Sequence, residues 1–116
     1  MTTETTVPPV SELAQTSDNR IAVEVMLDYL ALPAPSVTAR PDAVYVSVAD
    51  VDDLGAWLTA RGGRVHVHPA GDGVELWTLL TSSPERADGS SVPIRVSAPV
   101  PAGEVVLGYI VAAVAA

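Results

Sequence analysis

The strongest constraint on the fold is the alternation of apolar and polar residues between positions 64 and 81. Residues 64–68 alternate one by one, residues 69–73 supply Pro, Gly and Asp, and residues 74–81 are again rich in apolar side chains. A repeat of two is the period of a β-strand with one buried side, and Gly and Asp favour tight turns. The segment therefore predicts an antiparallel β-hairpin.

The register of this hairpin decides which of its side chains are buried. The turn is predicted to close so that three pairs lie opposite one another: His68 with Glu75, His66 with Trp77, and Arg64 with Leu79. The side facing the core then carries five aliphatic residues: Val65, Val67, Val74, Leu76 and Leu80. The outward side retains large apolar groups that either the first helix or a partner must cover. We predict an interaction surface there, made of Arg64, His66, Trp77 and Leu79.

The predicted outward side also brings two imidazoles and a carboxylate within reach of one another. His66, His68 and Glu75 are residue types that bind Zn²⁺. The solvated face of a hairpin commonly has the same composition, and no residue is identifiable that would orient the imidazoles from behind. We therefore predict no metal and no other cofactor, and these three residues are the candidates if a metal binds.

A helix is predicted over residues 20–32. Ser-Asp-Asn at residues 17–19 suits an N-cap, and the prolines at 33 and 35 suit a helix stop. Three charges share one stripe: Arg20, Glu24 and Asp28. The remaining positions are apolar, which predicts a helix buried around most of its circumference. A strand is the alternative, because β-branched residues also recur at odd positions.

Further elements follow from local signals. An edge strand is predicted at residues 36–40 and a central strand at 43–48, and a helix begins after Asp50 and ends at Gly62-Gly63. Residues 92–100 alternate as a strand, and two prolines on one side of it indicate a sheet edge. Residues 105–116 are apolar and fit either a strand or a helix.

Composition excludes several classes of function. The net charge is −8, with six Arg and no Lys, which argues against binding nucleic acid or an anionic membrane. Without cysteine there is no disulfide, zinc thiolate or thiol nucleophile. The apolar stretch at residues 105–116 is shorter than the roughly 20 residues of a membrane-spanning helix. Residues 1–16 are polar and carry no secretory signal, so we expect a disordered tail and a cytoplasmic protein, with the residue usage of a GC-rich bacterium.

No group of residues predicts catalysis. Asp50, Asp52 and Asp53 lie at a predicted helix N-terminus, where the helix dipole favours carboxylates, and no loop of calcium-ligand spacing surrounds them. Both histidines fall on one hairpin strand without a serine elbow beside them. We predict no catalytic residue.

Residues 44–80, about a third of the chain, contain a succession of predicted elements. A strand and an acidic helix cap come first, in Val44-Tyr-Val-Ser-Val-Ala-Asp-Val-Asp-Asp-Leu. A helix, the pair Gly62-Gly63 and the hairpin that ends at Leu80 follow. This succession resembles one βαβββ module of the glyoxalase or vicinal-oxygen-chelate superfamily. The resemblance implies paired modules, a cupped sheet, and a divalent metal held by His, Gln or Glu near the first and last strands. Here residues 44–48 offer no such ligand and residues 92–100 no carboxylate. The resemblance therefore implies a topology, with dimerisation completing the cup.

Together these patterns predict one small α+β domain over residues 17–116, with a mostly antiparallel sheet of four to six strands packed by two helices. We predict a non-catalytic protein-interaction or regulatory module that binds a protein partner or forms a homodimer. The alternative is a small-molecule or metal-binding enzyme of the vicinal-oxygen-chelate type.

Overall fold

The structure is a computed structural model that describes residues 10–114. These residues form five strands and three helices. In chain order they are α1 (Val10–Leu30), β1 (Ser36–Ala39), β2 (Val44–Ser47), α2 (Val51–Arg61), β3 (Arg64–Gly71), β4 (Val74–Ser82), β5 (Pro93–Pro101) and α3 (Gly108–Ala112). The strands form one sheet in the order β1-β2-β5-β4-β3, antiparallel except between β2 and β5. This confirms the predicted α+β class and the mostly antiparallel sheet, to which the structure adds the short α3.

All three helices contribute buried side chains to one side of the sheet. Val23 of α1, Trp57 of α2 and Ile110 of α3 belong to a single apolar core with the inward residues of the strands. The register aligns these inward residues across neighbouring strands, as in the row Val46, Val96, Leu79 and Val65. The strand residues that alternate with these point to the other side of the sheet, against which none of the three described helices packs.

The register of the β3–β4 hairpin differs by one residue from the prediction. His68 lies opposite Leu76, and His66 lies opposite Thr78. The turn is tighter than expected, because Asp72 and Gly73 both adopt positive φ, and the register shifts between Pro69 and Gly71. A slip of one residue exchanges the two sides of a strand. Inward residues of β4 are consequently Trp77 and Leu79, while outward residues are Leu76 and Leu80.

Helix α1 is longer than predicted. It begins at Val10, so the prediction of a disordered tail is wrong for residues 10–16, and residues 1–9 lie outside the described part of the chain. The Ser-Asp-Asn sequence lies within the helix and not at its cap. Asn19 is buried, accepts from Gln15 Nε2 at 2.9 Å, and donates from Nδ2 to the carbonyls of Arg40 (2.9 Å) and Pro41 (3.2 Å). Its amide thus ties α1 to the turn before β2.

Strand β5 lies inside the sheet, so the prediction of a sheet edge is wrong. Ser83 N donates to Val92 O at 2.9 Å, which means that the even-numbered residues of β5 bond towards β4 and the odd-numbered ones point towards β2. Strand β2 pairs only with residues 94–97. The three prolines therefore lack an N–H where no neighbouring strand requires one: Pro93, Pro99 and Pro101.

The predicted second helix is confirmed with its cap. Asp50 accepts a hydrogen bond from Asp53 N at 3.0 Å, and Gly62 N donates to Leu58 O at 2.7 Å. After β5 the chain forms α3, and Val114 makes a parallel bridge to Val65, whose N–H donates to Ala113 O at 2.8 Å. The apolar C-terminal stretch thus contains a short helix and a single bridge to β3 within the described residues.

Candidate interaction surfaces

The outer face of α1 carries an exposed apolar stripe. Ile21, Val25 and Tyr29 recur every four residues and are 55, 58 and 89% exposed. They lie on the side of the helix away from the buried Val23 and Met26. The prediction of a helix buried around most of its circumference is therefore wrong, because only one side of α1 reaches the sheet. The signal was present in the sequence as apolar residues on every side of the helix.

A groove adjoins this stripe between α1 and the segment that follows β4. Its volume is about 390 Å³, and its walls are mostly apolar. One wall comes from α1: Ala22, Val25, Met26, Tyr29 and Leu30. The other wall comes from the end of α2 and the loop after β4: Arg61, Ser83, Pro84, Glu85 and Arg86. Concave apolar surfaces of this size are typical of binding sites.

Hydrogen bonds hold the loop side of the groove. Arg61 Nε donates to Ser82 O at 3.0 Å, and Arg86 Nε donates to Ser90 Oγ at 3.1 Å. Asp88 accepts from the hydroxyl and the backbone N–H of Ser90 at 2.6 and 2.9 Å. The hydroxyl hydrogen bond from Ser90, followed by the backbone one, lowers the pKa of Asp88 below its usual 3.8. These contacts order the loop that forms this wall.

The second candidate surface is the side of the sheet without helices, here called the open face. Its members are the outward residues of the strands: Ser36, Thr38, Tyr45, Ser47, Arg64, His66, His68, Val74, Leu76, Thr78, Leu80, Ser82, Pro93, Arg95, Ser97, Pro99 and Pro101. Thr78 Oγ1 and Ser97 Oγ are 3.1 Å apart, and the His66 and His68 rings lie 6.4 Å apart with nearly parallel planes. The guanidinium of Arg40 lies 5.5 Å from the centre of the Tyr45 ring.

The predicted interaction surface on the hairpin is split by the register. Trp77 and Leu79 are 8 and 0% exposed on the helix side of the sheet, which contradicts their assignment to a surface. Arg64 and His66 lie on the open face, as predicted, but next to Leu80 and Thr78. The aromatic anchor of the proposed surface is thus part of the core.

The candidate metal ligands are also divided. His66 and His68 lie on the open face, whereas Glu75 lies on the helix side and accepts from Trp77 Nε1 at 3.3 Å. Between residues 10 and 114 no group of three or more His, Cys, Asp or Glu is placed to hold a metal ion. Asp50 acts as the helix cap in the acidic cluster, as its hydrogen bond to Asp53 N shows.

Searches against protein-family models, curated proteins and solved structures gave no significant match. The order of β2, α2, β3, β4 and β5 agrees with the βαβββ succession that the resemblance implied. That agreement is limited to topology, since the metal ligands are not assembled. Of the helices within residues 10–114, none combines the length and the apolar character that crossing a bilayer requires.

Proposed function

We propose that this chain is a non-catalytic protein-interaction module, and that the outer face of α1 with its adjoining groove binds the partner. The exposed stripe of Ile21, Val25 and Tyr29 is the observation that carries the proposal. Contiguous apolar surface is uncommon on soluble monomers and marks sites of association. Fully burying an aliphatic or aromatic side chain of this size contributes about 1.5–3 kcal/mol, so covering the stripe offers a partner substantial binding energy.

The shape of the surface indicates the form of the partner. A helix ridge beside an apolar groove fits an amphipathic helix that presents apolar residues at positions i, i+4 and i+7. The exposed acidic residues of α1 outnumber its one cation: Glu12, Asp18, Glu24 and Asp28 against Arg20. A partner helix whose basic residues face α1 is therefore electrostatically favoured, whereas the opposite wall of the groove carries Arg61, Glu85 and Arg86. A homodimer through α1 would bring two acidic helices together, so a different protein is the favoured partner.

The test uses a variant that removes the stripe without disturbing the helix. Ile21→Gln, Val25→Gln and Tyr29→Gln together keep good or neutral helix propensity at exposed positions. Leu13→Gln is the matched control, since Leu13 is also an exposed apolar residue of α1 but lies about two turns before Ile21 and does not line the groove. Sedimentation equilibrium of each protein reports self-association, and titration with a designed lysine-flanked amphipathic helical peptide, followed by NMR, reports binding.

We expect the peptide to shift the amide resonances of α1 and of the loop after β4, and the triple variant to lose these shifts while Leu13→Gln keeps them. A wild-type dimer that becomes monomeric only in the triple variant would assign the surface to a second copy. A monomer that does not bind the peptide, or a triple variant that behaves as wild type, would contradict the proposal.

A further inference from the structure

Charge is distributed unequally between the two sides of the sheet. On the described strands, Glu75 is the one acidic residue, and it lies on the helix side. The four basic or imidazole residues of the strands all lie on the open face: Arg64, His66, His68 and Arg95. A chain of net charge −8 thus has one side of the sheet that is free of strand carboxylates and carries two of its six Arg residues and both histidines.

The cations form an ordered row across the strands. Arg64 pairs with Leu80, Leu80 with Arg95, and Arg95 with Tyr45, so these side chains are neighbours across four strands. Two strand spacings separate the Cα atoms of Arg64 and Arg95, roughly 9–10 Å. Arg40 over the Tyr45 ring extends the row at its far end. This row therefore presents three guanidinium groups, with the Leu80 side chain between those of Arg64 and Arg95.

The next row of the open face supplies hydroxyl groups and an imidazole. Ser36, Ser47, Ser97 and Thr78 follow one another across the strands and end at His66. Hydroxyl and imidazole groups donate hydrogen bonds to carboxylate oxygens. Exposed Leu76 and Pro99 flank this row and offer apolar contact. The face thus combines fixed cations, neutral donors and a few apolar side chains.

We infer that the open face is a second binding surface whose ligand is a carboxylate-rich segment of a protein. Guanidinium groups bind carboxylates through paired, charge-assisted hydrogen bonds, and the hydroxyl row offers further donors to the same oxygens. Charge complementarity selects this occupant, because within residues 10–114 the carboxylates lie on the helices, in turns and loops, or on the helix side of the sheet. Asp42, which accepts from Tyr45 Oη at 3.0 Å, and Asp72 in the hairpin turn border the face.

Nucleic acid fits the same cations less well. Proteins that bind single strands on a sheet stack several bases on aromatic side chains, and Tyr45 is the one Phe, Tyr or Trp residue among the outward strand residues described here. The net charge of −8 repels a polyanion that extends past the face, whereas a short acidic segment ends within it. The surface lies on the opposite side of the sheet from α1, so it stands independently of the proposed function.

The experiment uses the full chain and a fluorescein-labelled peptide in which glutamates alternate with alanine and leucine. Fluorescence anisotropy at low ionic strength measures binding to the wild type and to Arg64→Gln/Arg95→Gln. Arg20→Gln, which removes a charge from exposed α1, is the matched control. Circular dichroism checks that each variant is folded, and Arg64→Lys/Arg95→Lys tests whether charge alone restores binding.

We expect the double glutamine variant to bind the peptide at least about tenfold more weakly, the control to stay within about twofold, and the lysine variant to be intermediate. Binding should weaken as salt is added, and amide shifts should map to β3, β4 and β5. The inference is overturned if the peptide does not bind at low salt, if Arg20→Gln weakens binding as much as the double variant, or if a single-stranded oligonucleotide binds more tightly than the peptide.

Discussion

The two sides of the sheet are built from the same five strands but behave as different surfaces. On β4, Trp77 and Leu79 point towards the helices and are buried, whereas the neighbouring Leu76 and Leu80 point outwards and keep part of their surface in water. Hydropathy does not distinguish Leu79 from Leu80. Backbone register decides which of these two leucines is buried. The composition of the core therefore depends on how the turn of the β3–β4 hairpin closes.

The largest expected effect separates these adjacent leucines. Leu79→Ala should lower the free energy of unfolding by about 2–5 kcal/mol, because it removes a fully buried side chain and leaves a cavity. Leu80→Ala, on the open face, should cost no more than about 1 kcal/mol. Urea denaturation of both variants measures the contrast. Equal losses would mean that the two sides of β4 are not distinct.

The next contrast concerns α1, which reaches the helix side of the sheet through Asn19. Asn19→Ala should cost about 1–3 kcal/mol, since it removes two hydrogen bonds from a buried side chain to the carbonyls of Arg40 and Pro41. Asp18→Ala, at the neighbouring exposed position, should change stability by less than about 0.5 kcal/mol. Thermal and urea unfolding compare the two. A neutral Asn19→Ala would show that α1 is held by its apolar contacts alone.

On the open face we expect small effects on stability. His66→Ala and His68→Ala should each change the free energy of unfolding by less than about 0.5 kcal/mol. Val65→Ala should cost more than about 1 kcal/mol, because Val65 is fully buried.

Zinc titration by calorimetry should give the same weak response for wild type and both histidine variants. Stoichiometric zinc binding that disappears in these variants would restore the metal-binding alternative.

The smallest expected effect lies in the loop beside the groove. Ser90→Ala removes the main hydrogen bond that lowers the pKa of Asp88, so this pKa should rise towards 3.8. Because the folded-state pKa is depressed, the loop contacts are present above pH 3.8 and are lost as the pH falls through the folded-state value. Carboxyl carbon shifts in an NMR titration measure this, with Ser91→Ala as the control. An unmoved pKa in Ser90→Ala would contradict the assigned cause.

Local signals in the sequence were sufficient for most of the secondary structure. Alternation located β3, β4 and β5, and Asp50 with the Gly62-Gly63 pair bounded α2. The hairpin register was not predictable in the same way, because the positive φ of Asp72 and the irregularity before Gly71 are properties of the closed turn. One residue of slip moved Trp77 from a proposed surface into the core.

Contacts between distant segments were the other missing information. Asn19 was interpreted as a helix cap because Asn is common at that position. Its actual carbonyl partners lie 21 and 22 residues further along the chain, where no local pattern indicates them. The groove joins α1 to a loop about 60 residues away, and no local pattern reports that proximity. The open face was predicted only in part, since Arg64 and His66 were placed on it whereas its continuation through Arg95 to Tyr45 depends on the position of β5 inside the sheet.

The hydrogen bond from Val65 N to Ala113 O occupies a backbone donor at the β3 edge of the sheet, where a strand of another molecule could otherwise pair. Along the outer border of β3 the backbone groups point away from β4 at residues 65, 67 and 69; the first is already bonded, and Pro69 has no N–H to donate. Of these three positions, Val67 is thus the one whose N–H is left for a foreign strand. Ala113 and Val114 therefore oppose edge-to-edge growth of the sheet at β3, and the opposite edge is limited to the four residues of β1.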